Sequence, residues 1–180
     1  MGGSLVELMK FNIWLGTLPA KKILLVPGNH DFICEELPQM CKQELTHATL
    51  LIDEFIEIDG KRFYGSPWVP EYGRWAFMKP DHDLVEVFSK IPEDLDMLIT
   101  HGPPKKVLDK VERDGYVGSE SLFNRCLKAK PRFNVFGHIH EGYGRMEFGW
   151  FNDSKTTTFL NASSCDVRYK PVNPAVTFEI

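Results

Sequence analysis

Ile23-Leu24-Leu25-Val26-Pro27-Gly28-Asn29-His30-Asp31 decides the fold: an apolar, β-type run stops at Pro27-Gly28 and hands over to three consecutive polar side chains. The same succession recurs twice downstream. Met97–Thr100 runs into His101-Gly102-Pro103-Pro104, and residues 134–136 run into Gly137-His138-Ile139-His140. Four of the six histidines sit in these three loops. In α/β sheets, sites form outside the carboxyl ends of the strands, so three such loops can converge on one centre. Gly28, Gly102 and Gly137 let the backbone turn sharply and leave room for a ligand. Pro103 and Pro104 stiffen the second loop. The pattern predicts a pre-organised site.

Around these loops the chain alternates between helix and strand signals. Ser4 and Glu7 have capping-box spacing, Leu5, Leu8, Met9 and Leu15 form one stripe, and Gly16 can end the helix. Residues 22–26 read as a strand, and 35–44 as a mixed, partly helical stretch. Residues 49–52, 55–58 and 62–64 read as β, with Asp59-Gly60 marking a hairpin turn. Residues 65–70 form a loop rich in proline and aromatics. A helix starts near Asp81 or Asp83 and carries Leu84, Val85, Val87 and Phe88 on one side. Residues 96–100 form a buried strand. Ser119 opens a helix with Leu122, Phe123, Cys126 and Leu127 on its apolar face. Phe133–Phe136 is a further strand, and 145–148, 156–160 and 175–180 give a β-rich tail. The order indicates an α/β architecture without an internal linker.

Composition fits one domain: 180 residues, 43% apolar and 26% charged. A net charge of −4 gives no basic face for a nucleic-acid polymer. It leaves room for a small phosphorylated substrate, because a bound metal supplies positive field locally. Cys34, Cys41, Cys126 and Cys165 form no CxxC pair and read as reduced, mostly buried thiols of a cytoplasmic protein. Glu7, Lys10 and Asn12 interrupt the apolar start, which argues against a signal peptide or membrane span. Met1-Gly2-Gly3-Ser4 is similar to a myristoylation site, but Val6 stands where that motif requires Ser or Thr.

The loop chemistry suits a hard, phosphate-handling metal centre. Neutral imidazole binds Zn, Fe, Mn or Co, and the amide oxygen of Asn29 is an acceptable hard ligand. His138 and His140 are two apart and cannot share a helix face. On a turn they reach two metals, or one binds metal and the other substrate. A metal here polarises a phosphoryl oxygen and lowers the pKa of a bound water. His30, beside Asn29 and with Asp31 able to fix its tautomer, is a candidate acid for the leaving oxygen. His47 and His82 lack a glycine-rich context and read as ordinary polar residues. Trp68 and Trp75 read as packing residues, with a pocket-wall role for Trp68 as the alternative. Lys105, Lys106 and Lys110 read as a solvated face, with phosphate steering as the alternative.

These loops resemble the calcineurin-like metallophosphoesterase superfamily, whose signature ends with GNH[DE], a His-Gly motif and GHxH. More narrowly, Gly65-Ser66-Pro67-Trp68, His101-Gly102-Pro103-Pro104, residues 137–144 (GHIHEGYG) and Asn161-Ala162-Ser163 are similar to the metallophosphoesterase-domain-containing (brain-type) phosphodiesterases. The resemblance runs from about Phe11 to the C-terminus. It implies a two-sheet β-sandwich flanked by helices, a dinuclear site for divalent ions (Mn, Fe or Zn) and hydrolysis of small phosphodiesters, cyclic nucleotides among them. Carried over by position, Asn29, His101 and His138 bind the second metal and His140 the first. His30 matches the catalytic histidine and Asp31 its partner. Some relatives have Gly at the position of His138; this chain keeps His.

The departure lies upstream of Gly28, where the family carries its D-x-H and GDxxD blocks and an Asp that bridges both metals. Here Asp31 is the first Asp, His30 the first His and Glu7 the sole earlier carboxylate. Residues 3–19 resemble the family helix that follows the GD block. Residues 1–180 are therefore expected to form a single, N-terminally incomplete domain that lacks the first family strands. One metal is expected to persist on three protein ligands. Low activity, reduced stability and exposed sheet edges are the corresponding expectations. The alternative is a catalytically impaired module that binds nucleotide or metal.

Overall fold

The computed structural model describes residues 3–150 and 154–180. The Met1-Gly2 portion of the myristoylation-like start lies outside the described residues. Helix α1 (Leu5–Leu15) begins as its sequence dictates, because Ser4 and Glu7 cap each other reciprocally. Leu8 and Leu15 are buried and Leu5 packs partly, whereas Met9 turns outward, against expectation. Gly16 ends the helix in an ordinary right-handed conformation. Its missing side chain serves packing instead, since a Cβ there would stand 2.8 Å from Nε2 of His47.

Strand β1 (Leu24–Leu25) is followed by two short helices, α2 (Phe32–Glu36) and α3 (Pro38–Glu44). Pro38 at the head of α3 loses no helical hydrogen bond there. Strand β2 (Thr49–Leu50) pairs with β1 in a parallel two-stranded sheet. Strands β3 (Glu54–Ile58) and β4 (Lys61–Ser66) form the expected hairpin. Asp59 and Gly60 both have positive φ, 52° and 75°, as a twist-matched two-residue turn requires. Then come β5 (Val69–Pro70), β6 (Met78–Lys79), α4 (Leu84–Ser89) and β7 (Met97–Thr100). Between β7 and α5 (Glu120–Ala129) lies a small hairpin, β8 (Lys110–Val111) with β9 (Gly115–Tyr116), which the sequence reading did not anticipate. It is pinned by buried Asp109, whose Oδ2 accepts from the N–H groups of Lys106 and Gly118. Strand β10 (Phe133–Phe136), a single 3₁₀ turn (His140–Gly142), β11 (Gly144–Gly149) and β12 (Thr156–Asn161) complete the chain order.

The main sheet has six strands in the order β11-β12-β10-β7-β4-β3. Its four inner strands run parallel, and the two edge strands are antiparallel to their neighbours. On one face, Leu84, Val87 and Phe88 of α4 and Leu122 and Cys126 of α5 pack on Leu98, Phe136 and Phe159. Val85, one residue round the helix from Leu84, is exposed, and so is Leu127. A second core joins α1 and α3 to Leu50, Ala76 and Phe77, with Trp68 touching both cores. The small β1–β2 sheet is keyed to the large one at Gly65, where a Cβ would lie 2.4 Å from Cβ of Leu51 and 2.8 Å from Val26. Among the described residues the strands thus form the six-stranded sheet and three two-stranded ones, β1–β2, β5–β6 and β8–β9, and the α/β class with flanking helices is as expected.

Residues 175–180 form no strand, which corrects the β reading of the tail. Val176, Thr177 and Phe178 border a cleft with Phe133 and Leu160, and Phe178 stacks on Phe133 at 4.8 Å. The alternating apolar residues therefore pack across the sheet face without ladder hydrogen bonds. All four cysteines are free, and all but Cys165 are buried. Among the described residues no helix is long and apolar enough to cross a membrane.

Candidate metal centre

Because β4, β7 and β10 run parallel, their carboxyl ends open at one edge of the sheet. Three hydrogen bonds tie the loops there. His101 N–H donates to Ser66 O (3.2 Å), Gly137 N–H to His101 O (3.0 Å), and the Thr100 hydroxyl to Gly102 O (2.8 Å). The first loop reaches this edge from β1. It closes on itself twice: Asp31 N–H donates to Gly28 O (3.0 Å), and Asp31 Oδ2 accepts from Gly28 N–H (2.7 Å). Asn29 O accepts from Ala76 N–H (3.0 Å), anchoring the loop to the stretch before β6.

At the centre, Asn29 is buried, and its Oδ1 lies 2.8 Å from Nε2 of His101. The His101 and His138 rings are 4.6 Å apart. Gly28 is compulsory here, since a Cβ would fall 2.5 Å from Cε1 of His101. His138 occupies the middle of a three-residue turn, with Ile139 N–H donating to Gly137 O (2.8 Å), at a φ of 70°. A non-glycine residue pays conformational strain in that region, and such strain concentrates at functional sites.

Electrostatics keep both rings neutral. Burial, followed by the neighbouring His138 and His30, lowers His101 to about 3. Burial, followed by His140 and His30, lowers His138 to about 4. Each shows an edge to solvent while protein surrounds most of the ring. Neutral imidazole is the metal-binding form.

The other predicted residues lie further out. His140 sits at the head of the 3₁₀ turn, and its Nδ1 donates to the carbonyl of Asp166 (2.8 Å). That bond fixes the tautomer that leaves Nε2 with a free lone pair. His30 is exposed, its ring 4.6 Å from Trp75. Asp31 Oδ2 accepts from Gly28 N–H, so the carboxylate shapes the turn that presents His30. Burial raises its pKa. His47 and His82 are exposed and stand apart from the loops.

Three aromatic residues and one backbone group at the site escaped sequence reading. Tyr72 accepts from Nδ2 of Asn29 (2.8 Å), and its ring is 5.6 Å from His138. Trp75, expected in packing, is partly exposed against His30. Tyr169 approaches His140 edge-on at 5.2 Å. Their one shared signal is an aromatic ring in a polar loop. The Asp166 carbonyl carries no side-chain signal at all. Trp68, by contrast, packs as expected, edge-on to Phe77, with its Nε1 donating to Asp53.

Among the described residues no three His, Cys, Asp or Glu side chains are grouped to hold a metal. The donor set that does converge is two imidazoles with the carboxamide of Asn29. The 2.8 Å between Asn29 Oδ1 and His101 Nε2 is close to the ~3 Å that separates two ligands set at right angles about 2.1 Å from one ion. The set therefore fits a single divalent ion, held on neutral donors.

The calcineurin-like phosphoesterase family model matches residues 3–142, and the chain belongs to that family, whose members are hydrolases that use divalent metal ions. Metallophosphoesterase domain-containing protein 1 of Homo sapiens and of Mus musculus are each 39% identical over 97% of this chain. A UPF0046 protein of Caenorhabditis elegans is 30% identical over 99% of it. The chain spans 60% of the length of the human and mouse relatives. A solved crystal structure shares the fold with a TM-score of 0.64 at 19% identity, covering 87% of this chain and 62% of the other.

Proposed function

We propose that this chain carries the histidine-bearing part of a metal-dependent phosphodiesterase centre that acts on small phosphodiesters such as cyclic nucleotides. The convergence of Asn29 Oδ1, His101 Nε2 and the His138 ring supports the reading most strongly. Asn29, His101 and His138 would hold a Mn, Fe or Zn ion, which would polarise a phosphoryl oxygen and lower the pKa of water at the site. The chain's own groups do the rest. Burial holds both imidazoles neutral, so their lone pairs are available at pH 7. The Tyr72 hydroxyl oxygen accepts a hydrogen bond from the Asn29 amide N–H and so keeps the amide oxygen turned to His101. The Asp166 carbonyl orients His140 for a second ion or for substrate. His30, exposed at the mouth, serves as the candidate acid for a leaving oxygen. Free cysteines and net negative charge fit a cytoplasmic protein with no membrane or nucleic-acid polymer as partner.

A second reading, a nucleotide- or metal-binding module without turnover, draws support from the lack of a carboxylate in the convergent donor set. Bis(4-nitrophenyl) phosphate with Mn2+ or Zn2+ separates the two. Metal-stimulated release of nitrophenolate that disappears in His30→Ala supports the enzyme. Metal binding by calorimetry without turnover supports the module, and neither signal defeats both.

A further inference from the structure

Three exposed aromatic side chains each lie against one histidine of the centre: Trp75 on His30, Tyr72 on His138 and Tyr169 on His140. Tyr72 and Tyr169 are 60% and 75% exposed, so neither ring serves the core. Both are nevertheless held in place. The Tyr72 hydroxyl is fixed by the Asn29 amide at 2.8 Å. Tyr169 sits at the tip of a tight turn at a φ of 60°, a strained conformation for a β-carbon-bearing residue. Asp166 builds that turn: its side chain accepts from Arg168 N–H (2.8 Å) and Lys170 N–H (3.0 Å), and its carbonyl accepts from Tyr169 N–H (2.9 Å). The same carbonyl orients His140. One turn thus sets a site histidine and presents a bare ring beside it. The histidines these two rings approach, His138 and His140, stand two residues apart in one loop.

We propose that Tyr72 and Tyr169 form an aromatic clamp beside the phosphate site, which grips a planar aromatic group of the ligand and so selects aryl-bearing phosphoesters over alkyl ones. Stacking on such rings tolerates many planar groups, because each presents a π-face. The clamp rests on the phosphoesterase reading above, and the experiment separates their failures. Phenylphosphonate and methylphosphonate share a headgroup and differ in the planar group. Their affinities for the Mn2+-loaded full chain are measured by calorimetry for wild type, Tyr169→Ala and Tyr169→Phe. Tyr169 is exposed, and thermal unfolding checks that each variant is folded. Wild type is expected to prefer phenylphosphonate by about tenfold. Tyr169→Ala should lose most of that preference while its methylphosphonate affinity stays put, and Tyr169→Phe should retain it. Equal affinities in wild type, or a preference that survives in Tyr169→Ala, overturn the clamp alone. Binding of neither phosphonate overturns the phosphoesterase reading and the clamp with it.

Discussion

Oδ1 of Asn29 and Nε2 of His101 are in mutual contact at 2.8 Å, so two groups suited to share an ion already hold each other. The amide oxygen can only accept, which puts the proton on Nε2 while no metal is present. Metal uptake must break this bond and move that proton to Nδ1. Truncating either partner should therefore weaken Mn2+ or Zn2+ binding, measured by calorimetry, by about 10–100-fold, the scale of losing an orienting group or worse. Asn29→Asp should tighten binding, because a carboxylate brings charge to an otherwise neutral set. Unchanged affinity in both Asn29→Ala and His101→Ala would remove the metal centre from this position.

Gly28 gives a second handle on the same ring. A Cβ at this position would stand 2.5 Å from Cε1 of His101, inside any tolerable contact. Gly28→Ala should push the imidazole aside, lowering metal affinity by about tenfold and stability by about 1–3 kcal/mol through overpacking. Calorimetry and urea unfolding read the two effects separately. Normal affinity in a folded Gly28→Ala would mean that the ring relaxes without leaving the site.

These contacts divide cleanly into what sequence carries and what it does not. The three loops were legible because each couples a buried strand to a glycine-bounded turn, a signal contained within a few residues. Asp59-Gly60 and the Ser4/Glu7 cap were legible for the same local reason. Residues 175–180 have the alternation of a strand, but whether such a segment joins a sheet edge or lies on a sheet face is decided by the rest of the fold. Trp75 reads as a packing residue from composition, and only the path of the loop from Val69 to Lys79 sets it on His30. Asp31 looked like the orienting partner of His30 because it is adjacent. In the fold one oxygen of its half-buried carboxylate accepts from Gly28 N–H, a backbone partner that adjacency in sequence does not reveal. The Asp166 carbonyl was invisible, as any backbone ligand-orienting group is before the chain is folded.

The depressed His101 and His138 set the acid behaviour of the metal-free protein. Their folded values are about 3 and about 4, below the ordinary 6.5. The unfolded chain therefore takes up protons as pH falls through 6.5, while the folded chain resists until 4 and then 3. Stability from the neutral rings is complete above about pH 6.5 and is lost as pH falls toward those values. Each histidine contributes a slope of up to about 1.4 kcal/mol per pH unit in that window. Urea unfolding in chelator from pH 7 to 5 should show this decline, and His101→Gln with His138→Gln should flatten it. A slope unchanged by the double substitution would place the acid sensitivity elsewhere.

His138 separates ligation from backbone strain. At a φ of 70° its Cβ is unfavourable, and a left-handed residue costs about 1–2 kcal/mol unless it is glycine. His138→Ala removes the imidazole and keeps that cost; His138→Gly removes both. The two variants lose the same ring contacts with His101 and Tyr72, so those losses cancel when one is compared with the other. Glycine also gains freedom in the unfolded chain, which offsets part of its advantage. His138→Gly should therefore be more stable than His138→Ala by about 1 kcal/mol in urea unfolding, while both bind Mn2+ about equally poorly. The order reverses if the turn relaxes to negative φ once the imidazole is gone. Alanine equal to or more stable than glycine would accordingly show that the imidazole itself holds the turn in its strained form.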